Sequence, residues 1–446
     1  MTAGMPLLRI GHLMQTSPMT FRTQLLRTLL LAGLCLFSAA VSAAADDAQV
    51  WTLPQLIEEL KARNPQIEQA RLSYVAAKLQ VDQATAVPGP ELSFQEQANN
   101  GGPFDFSKNS GFLSYYTVTQ PILWPGKLRL AGDVARAQAE VVGREADALT
   151  QQMVGQLKLG YYQLKASQDQ LRFMEQDAQR LGALKEVARI RYANNAAAYV
   201  DLLNAQVSSS SLENDRYALE KQIQTLREQI NVMIARPARA ALQLSDIDGD
   251  PRLPWKSLDD LITLARQANP AVAASRSQAE AAGSSVTLAK KAYMPDFGLV
   301  LGSYGDPPLG VDHAHMFTVG INLSFPTWFF AKERAGVAQA NASLAAAQAG
   351  QASTDQQIEL AVANAYHGLE TALKQMKFTR ERLLPEAQMA YRLALDSYSR
   401  NGGTAFSDLL LAKNNLSATE VGLIQAQSAA LQAYASLAVA IGTNPD

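Results

Sequence analysis

From Lys127 to Ala193 the chain runs without a proline, and it does nearly the same again over residues 332–399. A helix over the first stretch would span roughly 100 Å at about 1.5 Å per residue. Ordinary globular helices have about 10–14 residues. The second stretch repeats the first at a spacing of 205 residues, which relates Pro121 to Pro326, Lys127 to Lys332, Arg129 to Arg334, Tyr161 to Tyr366, Leu164 to Leu369 and Phe173 to Phe378. A duplicated rod of this length is unlike a compact catalytic domain. It predicts the wall of an elongated body.

The duplication divides the chain. Residues 1–45 read as a secretory signal: Arg22 and Arg27, the apolar run Leu29 to Phe37, and a small-residue cleavage site at Val41-Ser42-Ala43, with Ala43-Ala44-Ala45 as competitor. The apolar run is too short to span a membrane as a helix. Met19, just before the basic region, is an alternative start. Cys35, the only cysteine, lies inside the apolar run after Leu34, a poor neighbour for lipid attachment. Cleavage then leaves no thiol for a disulfide, a nucleophile or a metal. The formal net charge of −2 excludes the basic surplus of a nucleic-acid binder.

Repeat 1 covers 46–235, a linker 236–254, and repeat 2 255–446. Each opens with a helix, Trp51 to Arg63 and Ser257 to Ala268, that ends at an Asn-Pro pair, Asn64-Pro65 and Asn269-Pro270. Proline disfavours helical geometry in the residue before it, so both pairs mark breaks. Helical pattern resumes over 66–87 and 271–292. The period then changes to two. Phe317, Val319, Ile321, Leu323 and Phe325 alternate with Thr318, Gly320, Asn322 and Ser324, which predicts a strand with one apolar face. Strands are expected at 91–98, 112–120, 296–304 and 314–325, joined by the turn-rich loops Asn99–Gly111 and Gly305–His313.

Aromatics stand at both strand-to-helix junctions: Trp124 before Lys127, and Trp328, Phe329 and Phe330 before Lys332. They read either as anchors at a membrane interface or as rings packed into a junction. Pro385 should kink the second rod or open its hydrogen-bond ladder. The rods end near Asn194-Asn195 and Asn401-Gly402-Gly403, where Asn and Gly tolerate the left-handed conformation. Return helices start at Asp201-Leu202-Leu203 and Asp408-Leu409-Leu410 and run to about Ala235 and Ala440.

Four amphipathic strands cannot close a membrane barrel, which needs about eight or more. An open edge in lipid leaves backbone groups unpaired at several kcal/mol each. The chain must share its sheet with further copies: two supply eight strands and three supply twelve. The shorter helices stacked end to end beside the rods make four columns per chain. Twelve columns about 10 Å apart form a ring roughly 38 Å across, with about 25–30 Å of lumen. The expected fold class is thus mostly α with a small β part, a duplicated long-helix and hairpin repeat. Assembled from three copies, it would form a trimeric 12-stranded β-barrel continued by a 12-column helical barrel.

This order of elements, the two Asn-Pro pairs, Tyr161 and Tyr366, Tyr192 and Tyr398 before the tip turns, the Asp-Leu-Leu after them, and Leu384-Pro385-Glu386-Ala387 resemble the TolC family of trimeric outer-membrane efflux ducts. The resemblance covers the whole mature chain. Gly126-Lys127-Leu128-Arg129 resembles its cobalt-zinc-cadmium resistance branch. The resemblance implies a homotrimer in the outer-membrane lipid of a Gram-negative bacterium, with a helical extension into the periplasm. It implies docking to a periplasmic adaptor (membrane fusion) protein and an inner-membrane pump. The cargo passes through a passive conduit, with metal cations one candidate class. Asn194, Asn195, Ala196, Asn401, Gly402, Gly403 and Thr404 are the implied adaptor-facing tips. Asp408, at the first position of a return helix, is the implied pore constriction. The family's second acidic position falls on Leu411 here. Asp201 is the repeat-1 counterpart, and both carboxylates also suit a helix N-terminus through the dipole, worth about 0.3–1 kcal/mol.

Other chemistry is sparse. His313-Ala314-His315 would present two rings on one side of a strand, but no third ligand completes a metal site. His367 reads as a packing or surface residue. Ser208–Ser211 has no partnering His or nucleophile elbow. Gly126-Lys127 lacks the upstream glycine of a P-loop. No catalytic constellation, cofactor or metal site is expected. The rival from another class is a periplasmic coiled-coil scaffold without a pore, which would need strict heptads. These Ala-rich rods are irregular in heptad phase.

Overall fold

The structure is a computed structural model that describes residues 50–98, 112–246, 252–305, 316–325, 330–400 and 403–445. The signal segment 1–45 with Met19 and Cys35, the loop Asn99–Gly111, His313, His315, Pro326, Trp328, Phe329, Asn401 and Gly402 lie outside the described residues. The chain forms two units. In the small one, β1 (Val50–Trp51) pairs in parallel with β4 (Gln243–Leu244), Ser245 N–H donates to Trp51 O at 3.0 Å, and Trp51 and Leu242 are buried.

The large unit carries both repeats. The first runs α1 (Leu53–Arg63), α2 (Pro65–Thr85), β2 (Glu91–Ala98), β3 (Phe112–Ile122), α3 (Lys127–Ala193) and α4 (Tyr199–Met233). The second runs α5 (Leu258–Ala268), α6 (Pro270–Lys291), β5 (Asp296–Gly305), β6 (Met316–Ser324), α7 (Ala331–Phe378), a π-helical turn (Thr379–Leu383), α8 (Leu384–Arg400) and α9 (Phe406–Ile441). The proline-free stretch is one helix of 67 residues, with the bounds that the sequence predicts. In the second rod the ladder opens beside Pro385, as expected. Proline has no N–H to give the carbonyl four residues back. Leu384 N–H instead reaches Thr379 O, five residues back, across the π turn.

Several boundaries differ from the sequence reading. β3 continues past Gln120 through Pro121 to Ile122, β5 reaches Gly305, and β6 ends at Ser324. The return helices begin at Tyr199 and Phe406, two residues before Asp201 and Asp408. Turn residues Ala198 and Ala405 are extended, so the following residue opens the helix without a side-chain cap.

Both Asn-Pro pairs do more than break a helix. Asn64 Oδ1 accepts from the N–H groups of Gln66 and Ile67 at 2.9 and 3.2 Å, and its Nδ2 donates to Met233 O at 2.7 Å. Asn269 accepts from Ala271 N–H at 2.8 Å and donates to Ala440 O at 2.7 Å. Each buried Asn therefore caps the helix that begins after it and fastens the end of the return helix. Four columns result: α2 and α4 flank α3 on one side, α6 and α9 flank it on the other, and α7 with α8 lies beyond. Leu261, Ala265, Val362, Leu369, Leu437 and Ile441 close one core among α5, α7 and α9. A fully buried leucine contributes about 1.5–3 kcal/mol to such a core. Close approach needs small residues: a Cβ on Gly155 of α3 would lie 2.6 Å from Val439 Cγ2 of α9.

Candidate functional site

The four long strands form one antiparallel sheet in the order β2-β3-β5-β6. Side chains alternate across a sheet, so the register sorts the residues. Leu92 and Phe94 of β2 lie opposite Val118 and Tyr116 of β3. Val118 and Ile122 lie opposite Leu301 and Phe297 of β5, and Phe297, Leu299 and Leu301 opposite Leu323, Ile321 and Val319 of β6. These residues share one face. The other carries Glu91, Ser93, Gln95, Thr117, Thr119, Gly302, Thr318, Gly320 and Asn322. The apolar face is uncovered: Phe317 is 82% exposed and Val319 and Ile321 76% each. An exposed apolar patch this continuous marks a contact with lipid or protein. The weak alternation of the first hairpin comes from polar residues on that face, the opposed pair Glu96 and Ser114, and Gln120, whose amide donates to Pro88 O at 2.8 Å and Pro121 O at 3.0 Å.

At the junction below the sheet, Gly126 takes φ +90°, which a side chain would oppose, and Lys127 opens α3. Lys127 Nζ lies 2.9 Å from the Asp296 carboxylate and donates to Met294 O at 2.8 Å. Trp124 N–H donates to the same carboxylate at 2.8 Å, and the indole stacks on Phe297 at 5.7 Å. The Gly-Lys pair singled out by the sequence is thus a structural clamp between the repeats. Phe330 holds a left-handed conformation at the start of α7 and sits 5.7 Å from the Tyr293 ring. Trp124 and Phe330 both make packing contacts at their junctions; Trp328 and Phe329 are outside the described residues.

At the far end of the rods the two tips pack together through Leu184, Ala188, Ala205, Tyr398, Phe406 and Leu409. Asn195 closes α3 in the left-handed region, and Ala196 N–H returns to Arg191 O at 2.8 Å. Thr404 donates to Ser397 Oγ at 2.7 Å, beside exposed Gly403. Arg191 joins the repeats. Its guanidinium lies 4.6 Å over the Tyr398 ring, donates to Tyr398 O, and donates to Ala196 O at 3.1 Å. Burial pushes the Tyr398 phenol above its ordinary pKa, the Asp201 charge adds to this, and Arg191 opposes it. The phenol oxygen is buried without a hydrogen-bond partner. Burial likewise raises the Asp201 carboxyl, with Arg191 opposing. Asp408, in the matching first-turn position, is exposed. The structure therefore brings Asp201 into a cluster with Arg191 and Tyr398. Arg191 was missed at the sequence level, where a basic residue in the last turn of a long helix was the available signal.

Sequence reasoning also missed the ties along the wall. Lys413 of α9 meets Asp177 of α3 at 2.5 Å, both buried, and Ser417 donates to the same carboxylate at 2.7 Å. One turn away, Arg180 makes a two-pronged contact with Glu420. The signal was a charge inside an apolar stripe: Lys413 lies between Leu409 and Leu416, and Asp177 between Phe173 and Leu181. Among the described residues no cluster of His, Cys, Asp and Glu could hold a metal ion.

Comparison with known proteins agrees with this geometry. The chain is similar in structure to the outer-membrane channel OprN, with a TM-score of 0.76, 17% identity, and 88% of this chain and 90% of that one covered. It is similar to CusC at a TM-score of 0.75 and 15% identity, covering 90% and 96%. It is also similar to the outer membrane protein VceC of Vibrio cholerae at 0.72 and 18%, covering 88% and 97%. A search of curated protein sequences gives no match. The sequence pattern of the outer membrane efflux protein family matches residues 56–236 and 261–443, one match for each repeat. With both repeats matched, the chain belongs to the outer membrane efflux protein family, and it is an outer-membrane channel of an efflux system.

Proposed function

We propose that three copies of the chain form one passive conduit, and that an inner-membrane pump and a periplasmic adaptor deliver its cargo. The observation that carries this is the sheet: four strands, an uncovered apolar face, and two free edges on β2 and β6. Because the strands alternate in direction, β6 of one copy runs antiparallel to β2 of the next, and a closed ring has no edge left in lipid. The polar face then lines the lumen, and the helical columns continue the wall. A periplasmic scaffold would have no use for a bare apolar sheet.

The tips carry the remaining roles. Asn194, Asn195, Ala196, Asn401, Gly402, Gly403 and Thr404 face the adaptor. Asp201 and Asp408 narrow the pore, Asp201 within its Arg191–Tyr398 cluster and Asp408 as an exposed ring of carboxylates. Trp124, Trp328, Phe329 and Phe330 serve as anchors at the periplasmic interface of the outer membrane. The pump and adaptor choose the cargo, and metal cations are the class to which the Gly126-Lys127-Leu128-Arg129 likeness points.

The test is conductance of the purified protein in planar lipid bilayers, together with the solutes to which a deletion strain becomes sensitive. The protein should open discrete channels, and Ile321→Arg, which puts a charge at the middle of the lipid face of β6 at a cost of about 2–4 kcal/mol per copy near the bilayer midplane, should abolish insertion. Insertion and conductance unchanged by Ile321→Arg would overturn the assignment of that face.

A further inference from the structure

Inside the chain the two repeats meet along the β3–β5 seam, where Gln120 lies opposite Leu299, Thr119 opposite Val300 and Val118 opposite Leu301. The Lys127–Asp296 clamp fastens that seam at its lower end. The hairpins themselves repeat residue for residue. Glu91 lies opposite Thr119 in the first, and Asp296 opposite Ser324 in the second, each partner displaced by the same 205 residues. Applying that displacement to the seam converts β3 into β6 and β5 into β2. Within one chain those two strands are the opposite outer edges of the sheet, so the converted seam joins one copy to the next. The clamp converts too: Lys127 becomes Lys332, and Asp296 becomes Glu91. Both are exposed, and neither has a charged or hydrogen-bonded partner among the described residues.

We propose that Lys332 of one copy and Glu91 of the next form an intersubunit ion pair that repeats the Lys127–Asp296 clamp, and that it sets the register of the subunit seam. This rests on the closed assembly of the preceding section. In this register Phe325 lies opposite Phe94, Ser324 opposite Gln95 and Leu323 opposite Glu96. The apolar face of β6 then continues into the face of β2 that carries Leu92 and Phe94. A slip of one residue would set the apolar face of one copy against the polar face of its neighbour, so lipid excludes it. A slip of two residues keeps the faces but moves the two charges apart by about 6.6 Å. Burial of apolar surface cannot distinguish these even-numbered slips, whereas the charge pair can. Glu91 is one methylene longer than Asp296, which gives the intersubunit clamp extra reach.

Two experiments on the full-length protein extracted from the outer membrane test this. Gln95→Cys with Ser324→Cys in one chain should give covalently linked chains with a short thiol cross-linker. Gln95→Cys with Thr318→Cys, displaced by about 20 Å along the strand, should not. Separately, Glu91→Lys alone and Lys332→Glu alone should lower the fraction of assembled protein that resists unheated detergent several-fold, and the two together should restore it. If trimers form but the displaced pair cross-links, or the double reversal fails to restore assembly, the seam and its clamp are wrong while the conduit stands. If the unaltered protein never assembles, the conduit itself falls, and the seam with it.

Discussion

The two rods span corresponding stretches of the repeats and are built differently. α3 is unbroken over 67 residues, whereas its counterpart is α7 with 48, a π turn of 5 and α8 with 17. The difference centres on one position. Arg180 of α3 corresponds to Pro385, just inside α8. In repeat 1 that position grips Glu420 of α9, next to the buried Asp177–Lys413 pair. In repeat 2 it removes a backbone donor and the ladder loosens. Beyond the break, α8 buries only Tyr398 and leaves Met389 and Leu393 exposed, at 57% and 64%. The same repeat thus yields a cross-tied pillar in one copy and a pillar with a loosened segment above its tip in the other. Segments with few buried contacts open most readily, so motion at the tips should begin in repeat 2.

Removing the ties of the rigid pillar should have the largest effect. Lys413→Met leaves Asp177 buried without its partner, at a cost of about 3–5 kcal/mol. The thermal midpoint of the helical signal should fall, and hydrogen exchange should rise in α3 near Asp177. Next, Arg180→Pro gives repeat 1 the residue of repeat 2. Without a π turn to absorb it, a proline inside α3 should cost about 3 kcal/mol, seen as faster exchange over 176–184 while 379–385 is unchanged. If exchange stayed slow, the two rods would be interchangeable and the contrast empty.

The Asn-Pro caps sharpen the comparison from the other side, because there the repeats are alike. Asn64→Ala and Asn269→Ala each remove a helix cap and a buried bond to a return helix, costing about 2 kcal/mol apiece. Denaturant midpoints should fall by similar amounts; a large effect at one site alone would show that the repeats have diverged there too. The smallest effect concerns the tips. Asp201 has its carboxyl raised by burial, so its contribution to stability is present below the ordinary carboxylate range. That contribution is lost as pH rises through the folded-state value. Across about pH 3 to 6, Asp201→Asn should flatten part of this decline in the thermal midpoint, and an unchanged profile would remove Asp201 from the tip cluster.

Much of this was legible in the chain because the signals are local. The repeat spacing, the period-two strand at Phe317–Phe325, the Asn-Pro breaks and the opening beside Pro385 all follow from backbone chemistry within a few residues. The π turn itself begins six residues before Pro385, a displacement that sequence does not announce. The Gly126-Lys127 pair was visible, but its partner Asp296 lies in the other repeat, and only packing reveals it. Asp177 and Lys413 are likewise unremarkable apart, since their meaning lies in the crossing of α3 and α9. The starts of the return helices were placed late because Asp is a strong start signal, whereas here Ala198 and Ala405 precede helices opened by Tyr199 and Phe406.

Everything rests on a sheet too narrow to seal itself. The direct measurement is the mass of the mature protein extracted from membranes in mild detergent and released intact into the gas phase. The expected result is a species of three chains that precipitates when detergent is withdrawn. A single chain, stable and monodisperse in detergent-free buffer, would contradict it.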